Sequence, residues 1–167
     1  MTIDLAPRNP YGLTLRSSVI IAPGCASALR HPDPDMIGAV ATRTALLRPP
    51  RFEQTRWGTV PAGVVFDRLP TIGFRSLLQA EAKRWPRSPI PVLLSIAGTV
   101  DDLAHMVAQL DMLEGIAGVI VQTEDPDPVA VIAAVRSQTL LPLLAAVPHP
   151  MSAQVDLAMI AAELVAA

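Results

Sequence analysis

From Pro91 onward the chain repeats one pattern: a short apolar run, a helix-start signal, a stretch of helical spacing, then another apolar run. Pro91 to Ala97 in "IPVLLSIAG" reads as a strand. Thr99, with Asp102 three residues on, is then an S/T-x-x-D start for the helix "VDDLAHMVAQLDMLEG", which Gly115 closes. Val119 to Val121 is the next strand, and Asp127 followed by Pro128 is an N-cap and first-turn pair for "PVAVIAAVRSQ". "LPLLAAVP" is a further strand, and a small-residue helix is expected from Met151 to Ala167. Strands alternating with helices across short connections demand right-handed crossovers, and so a parallel sheet.

The first half is more broken. "YGLTLRSSVIIAPGC" reads as a short hairpin and then a strand, Val19 to Ala22, stopped by Pro23 and Gly24. Ile37 to Ala41 is another buried strand, ending at Thr42, Arg43 and Thr44, after a proline-rich turn at "HPDPDM". Leu46 to Phe74 is irregular, with strand-like pieces and four prolines. The helical spacing from Phe74 to Trp85 offers Leu77, Leu78 and Trp85 to a core.

At 167 residues the chain is long enough for one domain with its own core, which we take to be residues 1–167. Half of it is hydrophobic but only 4% is aromatic, so the core is built from Ala, Val, Leu and Ile, which suits a buried parallel sheet under small-residue helices. The expected fold is α/β: a partial TIM (β/α) barrel of about five parallel core strands with an N-terminal hairpin, where a full barrel takes roughly 250 residues. An open doubly wound sheet is the alternative.

A net charge of −2 gives no basic field for nucleic acid or an anionic membrane, so neither is an expected partner. Cys25 is the single cysteine, which rules out an internal disulfide, and His31, His105 and His149 have no metal spacing. The N-terminus is interrupted by Asp4, Pro7 and Arg8 where a signal peptide needs an apolar core. No segment reaches the roughly 18 apolar residues that span a bilayer. A cytoplasmic protein is expected.

Several pieces in order resemble one family. "DLAPRNPYGLTLRSSVIIAPGC" is similar to the N-terminus of class 1 dihydroorotate dehydrogenases, FMN-dependent barrels of pyrimidine biosynthesis, with their entry hairpin, first strand and A-S-G turn. "GAVATRTALLRPP" resembles A-[IV]-V-T-K-G/S-T-T-x-x-P-R, "TVPAGVVF" resembles P-A-G-M-x-N, and "PIPVLLSIAG" resembles P-V-[IV]-V-N-I-A-G. "LEGIAGVIVQTEDPD" resembles G-x-x-[GA]-L-E-L-N-[IL]-S-C-P-N, and "AVRSQTLLPLLAAVPHP" resembles V-[RK]-x-x-x-x-x-P-[VL]-x-[VA]-K-L-S-P. The resemblance implies oxidation of dihydroorotate to orotate on FMN. It places Ala22, Gly24, Thr42, Arg43, Ser95 and Gln122 at cofactor-contacting positions, and Asp125 at that of the base cysteine.

The departures from the pattern fall on the chemistry. Arg43 stands for a lysine, Phe66 for an asparagine after P-A-G, Ser95 for the Asn of N-I-A-G, and Ala146 for a second lysine. Gln122, Glu124, Asp125 and Asp127 stand for Asn, Ser, Cys and Asn of N-x-S-C-P-N. A hydride leaving for flavin needs a base beside it and donors for an anionic substrate, whereas grouped carboxylates repel one.

Each position also has a plainer reading. Asp before Pro is an ordinary helix start. Arg43 suits an ion pair, and Cys25 a small buried hydrophobe. A degenerate scaffold that no longer catalyses independently, and that holds FMN by family resemblance or holds none, is the leading expectation. The alternatives are a flavin oxidoreductase of altered substrate completed by another chain, and a non-catalytic interaction subunit. Either way a partial barrel exposes two sheet edges, so a homo-oligomer or a barrel-completing partner chain is expected.

Overall fold

A computed structural model describes residues 2–25, 35–49, 57–60, 63–66, 71–123 and 125–146. The proline-rich turn with His31, Glu124, His149 and the helix expected from Met151 lie outside these residues, apart from Asp35 and Met36 at the end of that turn.

The chain opens with an antiparallel pair, β1 (Ile3–Asp4) and β2 (Thr14–Leu15), in which Ile3 faces Leu15. Its loop is set by Asn9, whose Oδ1 accepts from the Tyr11 N–H at 2.9 Å and whose Nδ2 donates to the Leu140 carbonyl at 2.9 Å. β3 (Ile20–Ile21), β4 (Ala39–Ala41) and β5 (Thr44–Leu46) follow. β6 (Trp57–Val60) and β7 (Gly63–Phe66) form a separate antiparallel hairpin in which Phe66 pairs with Trp57. Next come β8 (Thr71–Gly73), α1 (Phe74–Glu81), β9 (Val92–Ala97), α2 (Val100–Val107), β10 (Ile116–Gln122), α3 (Pro128–Arg136) and β11 (Leu143–Ala146).

The main sheet is wholly parallel and runs β11-β10-β9-β4-β3, with β5 continuing β4 along β9 and pairing β8 on its other side. Apart from β8, which lies on the far side of β5 from β9, the strands lie side by side in chain order, the winding of a (β/α) barrel. A doubly wound sheet would reverse its order at a switch point. The sheet with its leading hairpin is therefore a half-barrel.

Strand β9 is buried on both faces, which is why "VLLSIA" carries no polar alternation apart from Ser95. Its Leu94 and Ile96 pack outward with Val119 and Val121 against Leu77, Leu103, Met106, Val107 and Val131 of the helices. Leu93 packs inward with Ala39 and with Leu13 and Leu15, so the N-terminal hairpin plugs the concave side. The hairpin's exit approaches β4 so closely that a Cβ on Gly38 would lie 1.9 Å from the Ser17 carbonyl oxygen. No side chain fits there.

Two helices end sooner than their sequence spacing predicts. After α1, the residues Ala82–Arg87 tighten into a 3₁₀ helix containing Pro86, which has no N–H for an α-helical bond. Trp85 is still buried, as expected. Helix α2 stops at Val107 rather than at Gly115: the Gln109 N–H donates to the Met106 carbonyl, its side chain donates to the His105 carbonyl at 3.2 Å, and the chain drops into a short 3₁₀ turn, Leu110–Met112. Gly115 is spent elsewhere: its φ is +85°, and a Cβ there would sit 2.4 Å from the backbone of Trp85 and Pro86. Both helix starts match expectation, with the Thr99 and Asp127 side chains accepting from the Asp102 and Ala130 N–H groups.

Cys25 is exposed, contrary to the buried reading, because it lies beyond the end of β3, past the turn at Pro23 and Gly24. Among the described residues no helix is long and apolar enough to cross a membrane, and no three His, Cys, Asp or Glu side chains gather to hold a metal ion.

Candidate functional site

A one-residue bulge shapes the centre of the site. Ala41 pairs with Leu93 and Ala45 with Ile96, so between these pairs one strand advances from 41 to 45 while the other advances from 93 to 96. The extra residue interrupts the ladder at Thr42, Arg43 and Thr44. The Thr42 side chain repairs it: its Oγ1 accepts from the Ser95 N–H at 3.1 Å and donates to the Arg43 carbonyl at 3.1 Å.

Beside that repair, three polar side chains from three strands meet. Thr44 Oγ1 and Ser95 Oγ lie 3.1 Å apart, and Gln122 Nε2 reaches the first at 3.1 Å and the second at 2.9 Å. Ser95 is fully enclosed and Thr44 nearly so. Among the described residues no buried side-chain nitrogen or oxygen is left without a partner. Such a satisfied cluster holds its strand ends in one arrangement.

Over Gln122, at the C-terminal ends of β5, β9, β10 and β11, opens a cavity of about 690 Å³. Leu46, Leu47, Ala97 and Ala146 give it apolar walls, while Arg48, Asp102, Gln122 and Asp125 are its polar and charged members. This is the rim where barrel enzymes carry function. Arg48 and Asp102 face each other across it at 3.7 Å.

Asp125 has two neighbours in the turn entering α3. Its N–H donates to Thr123 Oγ1 at 3.1 Å, and its Oδ1 accepts from the Asp127 N–H at 2.9 Å. Asp127 Oδ1 in turn accepts from the Ala130 N–H at 3.0 Å and caps the helix. Thr123, Asp125 and Asp127 thus form a chain of side-chain bonds that turns the strand into the helix.

The remaining candidates lie elsewhere. Gly24, Thr42 and Arg43 border a second cavity of about 440 Å³, together with Glu81 and Trp85. Arg43 reaches Glu81 of α1 at 3.5 Å, while Ala22 is exposed just before the turn. The structure therefore joins Ser95 to Thr42 and Gln122 by hydrogen bonds, places Gln122 and Asp125 on one cavity, and sets Gly24 and Arg43 on another. Sequence reasoning passed over Thr44 and Arg48. The signal for Thr44 was a second threonine at the end of an otherwise apolar strand; Arg48 had none beyond its distance from that strand end.

No protein-family model matches the chain. A curated relative, the catalytic subunit of dihydroorotate dehydrogenase B (NAD(+)) from Desulforudis audaxviator (strain MP104C), is 32% identical over 160 residues, a match covering 80% of this chain and 50% of that protein. The chain spans about half the length of the relative it matches. That match supports kinship with the dihydroorotate dehydrogenase family.

Proposed function

We propose that this chain is a dihydroorotate dehydrogenase-like half-barrel that keeps a ligand cavity at its strand ends but does not by itself oxidise dihydroorotate. One observation carries the reading: the polar groups at the strand ends are engaged with one another. Gln122 donates to Thr44 and Ser95, Thr42 accepts from the Ser95 backbone, and Asp125 shapes a turn. A bound anion would need free donors there, and hydride removal would need a base aimed at the substrate.

The FMN that the family resemblance implies meets the same difficulty. The pyrimidine edge of a flavin carries two carbonyl oxygens and needs facing N–H groups. Ser95 is enclosed, the Gln122 amide nitrogen is occupied, and Arg43 is turned to Glu81 outside the larger cavity. These residues do not fit that edge. The purified chain is expected to show no visible flavin absorbance and no dihydroorotate-dependent reduction of an artificial acceptor, with or without added FMN. Steady acceptor reduction would overturn the proposal.

A second reading, a flavin oxidoreductase or an interaction subunit completed by further β/α units, has its own support. Among the described residues β3 pairs only with β4, and β11 only with β10, so both edges of a parallel sheet carry unpaired backbone groups.

A further inference from the structure

The Gln122 amide decides what polarity the larger cavity presents. Gln122 Nε2, Thr44 Oγ1 and Ser95 Oγ are in mutual contact at 2.9 to 3.1 Å. Three contacts require three hydrogens, and two hydroxyls supply only two. The third must come from the amide, so its nitrogen faces the cluster, an assignment made by the network itself. With the nitrogen turned inward, the carbonyl oxygen is the group left for the cavity that Gln122 lines. Asp125 lines the same cavity. Arg48 and Asp102, 3.7 Å apart on the same rim, offset each other's charge. The hydroxyls of Thr99 and Thr123 accept backbone N–H groups and keep an O–H each for a neutral acceptor. Among the described residues the charged side chains of the cavity are thus two carboxylates and one guanidinium, which leaves one carboxylate without a counter-charge under apolar walls.

We propose that this cavity takes a small cationic ligand with N–H donors on a flat apolar body, of the amidinium class, and rejects carboxylates of the same shape. The proposal rests on reading this cavity as the ligand site. It makes Gln122 and Asp125 the specificity-determining residues. A charged donor meeting a carboxylate and an amide carbonyl is the strong pairing, while a carboxylate there meets like charge.

Benzamidine and benzoate share a shape and differ in polarity, so titration calorimetry with each on the full chain is decisive. Benzamidine is expected to bind saturably and benzoate at least about tenfold more weakly, the size of one charge-assisted contact. Asp125→Asn, which keeps an oxygen for the Asp127 N–H, should weaken benzamidine by about tenfold. Gln122→Leu should weaken it about fivefold, as loss of a neutral acceptor does. Arg48→Gln, which frees Asp102, should tighten it. Benzoate binding as tightly as benzamidine, or Asp125→Asn leaving benzamidine unaffected, would overturn the inference. Acceptor reduction by dihydroorotate is a separate readout, so loss of the proposed function and loss of this specificity are told apart.

Discussion

Thr42 shows how one side chain carries both fold and site. At the bulge its hydroxyl stands where a backbone carbonyl would stand in an unbroken ladder, accepting from Ser95 N–H, and the cluster of Thr44, Ser95 and Gln122 is built on the strand so positioned. Thr42→Val keeps the shape and removes the oxygen, leaving a buried N–H unsatisfied. It should cost about 1–3 kcal/mol, read as a lower urea midpoint at unchanged m-value. An unchanged midpoint would mean that the bulge relaxes to pair Ser95 with backbone. Ser95 and Gln122 were legible as polar strand-end residues from the family pattern. Their mutual engagement was not, because it depends on β9 and β10 lying in a register that sets Ile120, not Gln122, directly opposite Ser95.

At the scale of elements, the turn from β10 into α3 is a sequence of local bonds. The sequence "TEDPDP" announces it, since Asp127 caps the first free N–H groups and Pro128 takes the first turn, where its missing N–H is no loss. Asp127→Ala should destabilise the protein by about 1 kcal/mol, whereas Asp127→Asn should hold within a few tenths. Thermal unfolding distinguishes them, and equal losses in both would show that charge rather than capping matters there. The helix ends were harder to read than the starts. A start is encoded by adjacent residues, but α1 and α2 end where Pro86 and Gln109 intervene and where Trp85 packs down on Gly115. At the far end of α3 burial pulls the Arg136 guanidinium below its ordinary value, and its Nη1 holds the Thr139 and Leu141 carbonyls, tying the helix exit to β11.

For the whole molecule, the sheet edges left open among the described residues dominate. Val19, beside β3, and Leu140, before β11, are large hydrophobic residues left exposed near the two edges of the sheet. An open parallel edge is a template for another strand. Sedimentation at micromolar concentration should therefore show a species larger than the 17.7 kDa chain, or the chain together with a companion. A clean monomer would count against completion by another chain and leave the half-barrel standing alone.

The amino-acid sequence by itself determined the class of fold, because strand and helix periodicities, proline and glycine stops, and helix caps are local properties that neighbouring residues encode. It also marked Ser95, Gln122 and Asp125 as polar groups at strand ends. Only the tertiary structure decided that the strands apart from β8 lie in chain order, that a bulge recruits Thr42 as a substitute acceptor, and that the Gln122 nitrogen turns inward. Those features depend on distances between residues about fifty to eighty positions apart, where register and burial, not local preference, choose each partner.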